Sequence, residues 1–369
     1  MRQLVPLVVL VFLTTNVNAQ IQKSRNNRIY VDEDYEYTEA ARGTRTFNEQ
    51  LQKGLAAYKE HDYEAAVNAF SVAVTVDPAS FAAQHNLGVS RLHLEDYEAA
   101  EKTFRAAVAL NERSALAWHF LGFTLQRLNE HDEALKCYLR ALEIDKGMDV
   151  TWNNLGQTYL EKDKLESASD AFQKALAINP NSIETLNGLC LVYARSKQSE
   201  QAAAVCSKAR GIKDSMASTY YLAWSYLDLK KYPEAISLLK DCVRWDPKRA
   251  NIYVALAEGY YRMNRFKEAL SYAQMATQIS PESPAGYASM GFILFEMKKP
   301  KDAKRLFEKA VSINPDSVPA RYNLAMTCLA IKQKDCAREQ YAILKTRESV
   351  LSTQLLDNIY SSKVIRLVK

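Results

Sequence analysis

The chain has 369 residues, of which 48% are hydrophobic and 25% are charged, proportions that are typical of a folded soluble protein. Its formal net charge of +5 is small for this length, and Lys and Arg are spread along the whole chain. This balance argues against nucleic acid or an anionic membrane as the partner. Glycine is scarce, at 11 residues, which favours a helical fold.

The start of the chain has the features of a secretory signal peptide. Arg2 supplies a basic beginning, residues 4–13 form an apolar stretch, and small residues at 17–19 suit cleavage after Ala19. The apolar stretch is too short to span a membrane. We therefore expect residues 1–19 to direct export to the periplasm or the medium and then to be removed, and we expect no membrane span in the exported protein.

Residues 20–46 have no sustained apolar period and change from basic to acidic along their length. Such a composition predicts a flexible N-terminal segment, because it offers too little apolar surface to bury. The simplest interpretation is a spacer. An alternative is that Tyr35 and Tyr37, which lie among acidic residues, form a short linear motif or fold back onto the protein.

From residue 47 onward, one sequence pattern recurs with a period of about 34 residues. Its clearest copy is WNNLGQTYLEKDKLESASDAFQKALAINP at 152–180, where Trp, Leu-Gly, Tyr, Ala, Phe, Ala and Pro hold fixed places. A repeat of this length indicates an array of similar units, each of which buries its apolar face against its neighbours. The nine copies span residues 47–80, 81–114, 115–148, 149–182, 183–215, 216–249, 250–283, 284–317 and 318–348.

Each copy predicts a pair of helices. In the copy at 149–182, Trp152, Leu155 and Tyr159 follow the spacing of one helical face. A second apolar run of the same period follows a short polar turn, and Pro180 then ends the unit because proline cannot continue a helix.

This pattern, repeated over residues 47–348, resembles the tetratricopeptide repeat family. The resemblance implies an all-α fold, a right-handed α-solenoid superhelix of about nine helix-turn-helix repeats. Leu351, Leu355 and Ile359 share one helical face within segment 349–369, which predicts a C-terminal capping helix and tail that cover the last apolar face of the stack. Members of the family are typically scaffolds that bind peptides or proteins along the concave surface of the superhelix.

By the same resemblance, certain positions in the first helix of each repeat point into the concave groove. Asn side chains there suit a peptide backbone, since each can donate and accept, and rigid aromatic side chains suit binding hot spots. The alternative is that the aromatic side chains pack between neighbouring helices and that the Asn side chains are ordinary solvated residues. The predicted partner-binding residues are His85, His119, Asn153, Gln157, Asn187, Tyr220, Trp224, Tyr261, Phe292, Phe295 and Tyr322.

Six cysteines in an exported chain raise the question of disulfides. Cys190 and Cys206 fall on the two helices of one predicted pair, and Cys328 and Cys336 flank a predicted turn. Either pair could be bridged; the alternative is that these cysteines are small buried apolar residues. No two cysteines have the spacing of a zinc site, and we expect no metal or cofactor.

No catalytic motif is present in the chain: GxxxxGK(S/T), HExxH and GxSxG sequences do not occur. The repeats leave no stretch long enough for a catalytic domain, so we expect that the protein is not an enzyme. The leading interpretation is an exported scaffold that binds a peptide or protein segment in its groove within an envelope assembly. The first alternative is a structural subunit that associates with its own copies; a second is stacking of sugars on the aromatic side chains.

Overall fold

The computed structural model describes residues 45–346 and 350–360. Within these ranges it contains nineteen α-helices and no strand, so the predicted all-α class is confirmed. The predicted signal peptide at 1–19 lies outside the described residues, as does all of the predicted segment 20–46 except its last two residues.

The described helices form two compact units, an N-terminal unit that ends at Val192 and a C-terminal unit that begins at Tyr193. Consecutive helices pack against each other from the first to the eighth and from the tenth to the nineteenth, as expected for stacked helix pairs. The N-terminal unit contains α1 (Arg45–Lys59), α2 (Tyr63–Val76), α3 (Phe81–His93), α4 (Tyr97–Leu110), α5 (Ala115–Arg127), α6 (His131–Ile144), α7 (Asp149–Glu161), α8 (Leu165–Ile178) and most of α9 (Ile183–Arg195). The C-terminal unit contains α10 (Ser199–Ile212), α11 (Met216–Asp228), α12 (Tyr232–Trp245), α13 (Ala250–Arg262), α14 (Phe266–Ile279), α15 (Pro284–Glu296), α16 (Pro300–Ile313), α17 (Val318–Ala330), α18 (Lys334–Lys345) and α19 (Val350–Tyr360).

Polar side chains cap many of the helices. Asp62 and Asp96 precede the second helices α2 and α4, and their carboxylates accept hydrogen bonds from the amides of Ala65 (2.9 Å) and Ala99 (3.3 Å). Ser80 caps the first helix α3 in the same way. Each cap satisfies an amide that has no partner inside the helix, which defines where the helix begins.

A residue with a left-handed backbone reverses the chain inside each helix pair. In this conformation a side chain crowds the following carbonyl, at a cost of roughly 1–2 kcal/mol, and none of these residues is glycine. In every pair the next residue donates its backbone amide to the carbonyl five residues earlier, as Asp62 does to Ala57 at 2.9 Å, so a recurring helix-terminating hydrogen bond holds the turn. The nine residues are His61, Glu95, Asn129, Asp163, Lys197, Lys230, Asn264, Lys298 and Lys332.

The Leu-Gly and Phe positions of the sequence pattern meet inside a helix pair. A Cβ atom on Gly88 would lie 2.7 Å from Cζ of Phe104, and one on Gly156 would lie 2.7 Å from Cε1 of Phe172. Phe104 and Phe172 are fully buried. Glycine is therefore required in the first helix because the ring from the second helix occupies the place of a side chain.

The last described helix, α19, packs against α17 and α18. Leu355 and Ile359 are buried there, in a cluster that includes Leu344 of α18 and Tyr322 of α17. The helix thus covers apolar surface that α17 and α18 would otherwise expose. Residues 361–369, the tail of the predicted cap, lie outside the described residues.

Candidate functional site

The structure divides the eleven predicted groove residues into an interior set and a half-buried set. The predicted exposure in the groove is wrong for the interior set, whose side chains are at most 9% exposed. The half-buried set consists of Asn187, Trp224, Tyr261, Phe292 and Phe295. The interior set consists of His85, His119, Asn153, Gln157, Tyr220 and Tyr322.

Polar side chains of the N-terminal unit bond along the stack instead of facing solvent. Oγ1 of Thr151 lies 2.8 Å from Nδ1 of His119, and Oγ1 of Thr185 donates to Oδ1 of Asn153 at 3.1 Å. In each case the threonine belongs to the next helix pair and lies 32 residues further along the chain. Such bonds explain how polar groups are buried here at low cost.

His85 occupies the same place in its repeat as His119 but has a different environment. Ala117 stands 32 residues after His85, where the next two repeats carry Thr151 and Thr185. Within the described residues, Nδ1 of His85 is buried and has no hydrogen-bond partner. Its ring packs against Phe104 and Phe120, with centroids 5.9 and 5.6 Å away. Burial lowers the pKa of His85 to about 4, so the imidazole is neutral at pH 7.

Replacing Ala117 with threonine is expected to supply the partner that Nδ1 of His85 lacks. We expect the free energy of unfolding to rise by about 1 kcal/mol, the net contribution of a satisfied buried hydrogen bond. Urea denaturation monitored by circular dichroism measures this change.

Ala83→Thr is the matched control for Ala117→Thr. Ala83 is also fully buried at the same repeat position, but the residue 32 positions before it is Leu51, which offers no polar partner. The introduced hydroxyl should therefore destabilise the protein by about 1–3 kcal/mol. Equal effects of the two substitutions would contradict the proposed role of the missing partner.

The sequence interpretation missed Thr151 and Thr185. Both are buried, at 0% and 2% exposure, and each completes a bond that orients a predicted groove residue. The signal was present in the sequence, since each threonine follows a His or Asn of the preceding repeat at one fixed spacing. Such a spacing predicts contact only once the stacking of neighbouring first helices is known.

In the C-terminal unit, four half-buried aromatic residues on first helices form what we call the aromatic face: Trp224 on α11, Tyr261 on α13, and Phe292 and Phe295 on α15. The rings of Tyr261 and Phe292 meet edge to face, with centroids 5.2 Å apart. The ring of Trp224 meets the buried Tyr220 at 6.3 Å. Aromatic residues that are fixed by such contacts and still partly exposed have little side-chain entropy to lose on binding.

Helix α15 is unusual among the first helices. It is almost entirely apolar, yet it buries only Gly286, Gly291 and Ile293, whereas the preceding first helix α13 buries seven residues. Leu294 and Phe295 contribute to the nearby core only in part. Because α15 is apolar and only half-buried within the stack, it leaves apolar surface accessible to solvent at this point of the aromatic face.

Carboxylates border the aromatic face. Glu258 accepts from Nε of Arg262 at 2.6 Å. Burial, followed by the negative charges of Glu296 and Glu258, raises the pKa of Tyr261 to about 12. The Tyr261 phenol is therefore protonated at neutral pH and can donate a hydrogen bond. The surface thus combines rigid rings with polar groups at its border, as binding interfaces do.

Four of the cysteines are oxidised in the structure. Cys328 on α17 and Cys336 on α18 form a disulfide, with their Cα atoms 6.0 Å apart. Cys190 and Cys206 are also disulfide-bonded. Cys137 and Cys242 are free and buried.

We expect two titratable thiols per chain when the protein is denatured without reductant, those of Cys137 and Cys242. After reduction, six should react. Thiol counting with an aromatic disulfide reagent measures this, and peptide mapping tests the predicted pairing of Cys190 with Cys206. Six thiols before reduction would contradict both bridges.

No described helix combines the length and apolarity needed to cross a membrane. In the same part of the chain, no group of three or more His, Cys, Asp or Glu side chains is arranged to hold a metal ion.

Family comparisons match the repeated part of the chain. One tetratricopeptide repeat model matches residues 79–147 and 112–181, and a second matches residues 226–291 and 294–346. A model described as anaphase-promoting complex, cyclosome, subunit 3, matches residues 155–242. The tetratricopeptide matches together cover more than half of the chain, which belongs to the tetratricopeptide repeat family.

Several solved structures are similar to this chain. A tetratricopeptide repeat protein from Parabacteroides merdae is 18% identical over 77% of this chain and 99% of its own, with a TM-score of 0.50. MamA from Desulfovibrio magneticus RS-1 is 21% identical over 46% of this chain and 97% of its own, with a TM-score of 0.41. The pilF protein of Pseudomonas aeruginosa is 17% identical over 58% of this chain and 98% of its own, with a TM-score of 0.46. No curated protein matches significantly.

At these identities the likeness concerns the fold alone. Repeat arrays of this kind present extended surfaces for other proteins. Fold and family together define a protein–protein interaction scaffold.

Proposed function

We propose that this protein is a non-catalytic scaffold that binds a peptide or protein segment on the aromatic face of its C-terminal unit. The observation that supports the proposal is helix α15, whose apolar side chains remain half-buried although the helix lies within the stack. Binding would remove this apolar surface from water, at roughly 25 cal/mol for each Å² covered.

Anchoring would come from Trp224, Tyr261, Phe292 and Phe295. Rings of this kind bury large areas at low entropic cost, and a small number of them supply most of the binding energy in an interface. The interior polar residues of the N-terminal unit would contribute indirectly, by holding successive first helices in register.

The proposal includes export to the envelope. The features of residues 1–19 are those of a cleaved signal peptide, and the four disulfide-bonded cysteines suit an oxidising compartment. N-terminal sequencing of the protein recovered from its native cells tests this part. A mature chain that begins at Gln20 is expected, and an uncleaved chain that begins at Met1 would contradict export by this route.

A peptide-display selection on the intact protein tests the binding function. Peptides that bind should lose affinity by about 30-fold or more in a Phe292→Ala/Phe295→Ala double variant, since a hot-spot aromatic contributes about 2 kcal/mol or more. Fluorescence anisotropy with labelled peptides measures the dissociation constants. Circular dichroism confirms that the variant is folded.

Ile178→Ala/Trp245→Ala is the matched control. Both residues are large, apolar and exposed, at 44% and 45%, and both end second helices. This variant removes comparable apolar surface that is not part of the aromatic face and should bind the selected peptides as the wild type does. Peptides that bind all variants equally would show that recognition lies elsewhere.

A second candidate function is self-association as a structural subunit. It is favoured by large apolar residues that remain exposed at the ends of successive second helices: Leu110, Ile144 and Ile178 are 40%, 37% and 44% exposed. Light scattering over a range of concentrations distinguishes the candidates. Self-association is supported if the mass of the wild type rises with concentration and the Ile144→Ser/Ile178→Ser variant remains a monomer. A wild-type mass that stays that of a monomer at all concentrations excludes it.

A further inference from the structure

Helix α15 carries a continuous stripe that suits a short segment with apolar and basic residues. Ala288, Phe292, Phe295 and Glu296 follow one another at helical spacing, so they share a face. All four side chains are half-buried. We call this stripe the α15 face.

Glu296 gives the α15 face a negative charge at its end. It is the last residue of α15, where the helix dipole disfavours an anion. The preceding first helix α13 ends with Arg262, which pairs with Glu258. Among the residues that the structure describes, Glu296 takes part in no ion pair. A cation placed beside Glu296 would offset both its charge and the negative end of the dipole.

The last described helix brings the chain close to this face. On α19, Nδ2 of Asn358 donates to Oη of Tyr322 on α17, at 3.4 Å. α17 in turn packs against α15. Neighbouring helix axes are about 10 Å apart, so α15 lies roughly 20 Å from α19. Nine extended residues after Tyr360 reach about 30 Å, which is enough for α15 and too short for Trp224 on α11, roughly 40 Å away at the same spacing.

The sequence that follows α19 has the matching chemistry. Residues 361–369 read SSKVIRLVK, with three basic residues, four aliphatic residues and no acidic one. The aliphatic side chains suit the rings of Phe292 and Phe295. Lys363 or Arg366 would supply the cation that Glu296 lacks.

We infer that residues 361–369 dock on the α15 face of the same chain and compete there with partner segments. The inference rests on the proposed function, because it assigns an occupant to part of the aromatic face. It also names the class of segment that the face selects, namely short sequences in which aliphatic and basic residues alternate. A partner of this kind must displace the chain's own segment, so its apparent affinity is reduced by the fraction of molecules in which the face is occupied.

A photo-crosslinker in place of Phe295 in the full chain tests the inference. Irradiation of dilute protein should join position 295 to residues 361–369 of the same molecule, in a yield that does not depend on protein concentration. Peptide mass spectrometry locates the link. The same photo-crosslinker in place of Trp224 is the matched control and should give no link to residues 361–369.

Charge and apolar variants make the test specific. Glu296→Lys should lower the yield several-fold, and Lys363→Glu/Arg366→Glu in the same chain should restore it. Ile365→Asp/Leu367→Asp should abolish the link and tighten the binding of displayed peptides several-fold, because the competing segment is removed.

The outcomes separate this inference from the proposed function. A link between two chains, or a link to another segment of the chain, would overturn docking of residues 361–369. No link, combined with normal binding of displayed peptides to the α15 face, would overturn this inference and leave the proposed function intact. If neither the link nor the binding of displayed peptides is found, both this inference and the proposed function are overturned.

Discussion

Gly156→Ala is expected to lower the free energy of unfolding by about 1 kcal/mol, the net of an overpacking cost and a gain in helix propensity. The new Cβ atom would lie 2.7 Å from Cε1 of Phe172, closer than such atoms approach in proteins. The ring cannot retreat freely, because a Cβ atom on Gly188 of the next repeat would lie only 2.6 Å from its Cζ atom. Overpacking of this kind costs about 1–3 kcal/mol, which exceeds the roughly 1 kcal/mol that alanine gains over glycine in a helix.

Gly211→Ala is the control for this substitution. Gly211 lies in α10, is exposed, and has no atom within 4 Å of the place of a Cβ atom. Alanine should therefore stabilise the protein by about 0.5–1 kcal/mol. Chemical denaturation of both variants measures the difference.

The double variant Gly156→Ala/Phe172→Leu identifies the cause. A smaller side chain at 172 leaves room for the new methyl group. The double variant should therefore be destabilised by less than the sum of the two single variants. Hydrogen exchange should show the loss of protection first in α7 and α8. If Gly156→Ala is as stable as the wild type, the ring of Phe172 does not require a glycine at this position.

Acid is expected to destabilise the N-terminal unit through its interior histidines. Burial lowers the pKa values of His85 and His119 to about 4, whereas unfolded histidine has a pKa of about 6.5. Between these values the unfolded chain binds more protons than the folded one. The contribution of these two histidines to stability is therefore constant above about pH 6.5 and falls as the pH drops towards 4, by up to roughly 3 kcal/mol for each histidine.

His119→Asn isolates this contribution. Asn153 occupies the same repeat position and bonds to a threonine of the next repeat, so an amide at 119 can keep the bond to Thr151 without titrating. Denaturation at pH 7 and pH 4.5 should show a smaller acid loss in the variant than in the wild type. Comparing variant with wild type also cancels the opposing effect of Glu161, whose pKa is raised by burial.

His61→Asn is the control for the acid effect. His61 is exposed and lies in the turn between α1 and α2. Burial is the main cause of the lowered pKa of His93, and the charge of His61 adds to it. Replacing His61 should therefore reduce the loss of stability between pH 7 and pH 4.5 by less than His119→Asn does. An acid loss in His119→Asn as large as that of the wild type would show that other groups cause it.

The sequence by itself determined the repeat, the helix pairs and the all-α class. A period of about 34 residues contains two runs of helical spacing and requires stacking, since a single pair cannot bury its apolar face. These features are local, or repeat at one fixed spacing, and a single sequence displays both. The structure added that the ring of Phe172 lies against Gly156 of its own pair as well as Gly188 of the next.

Only the tertiary structure decided which side chains of the predicted groove are accessible. Burial depends on what the neighbouring repeat places opposite a residue. Thr151 hydrogen-bonds to His119, whereas Nδ1 of His85 has no hydrogen-bond partner in the part of the chain that the structure describes. In the same way α15, whose sequence is almost entirely apolar, buries only Gly286, Gly291 and Ile293. Solvent exposure is a property of the assembled neighbours and is not encoded in the period of one helix.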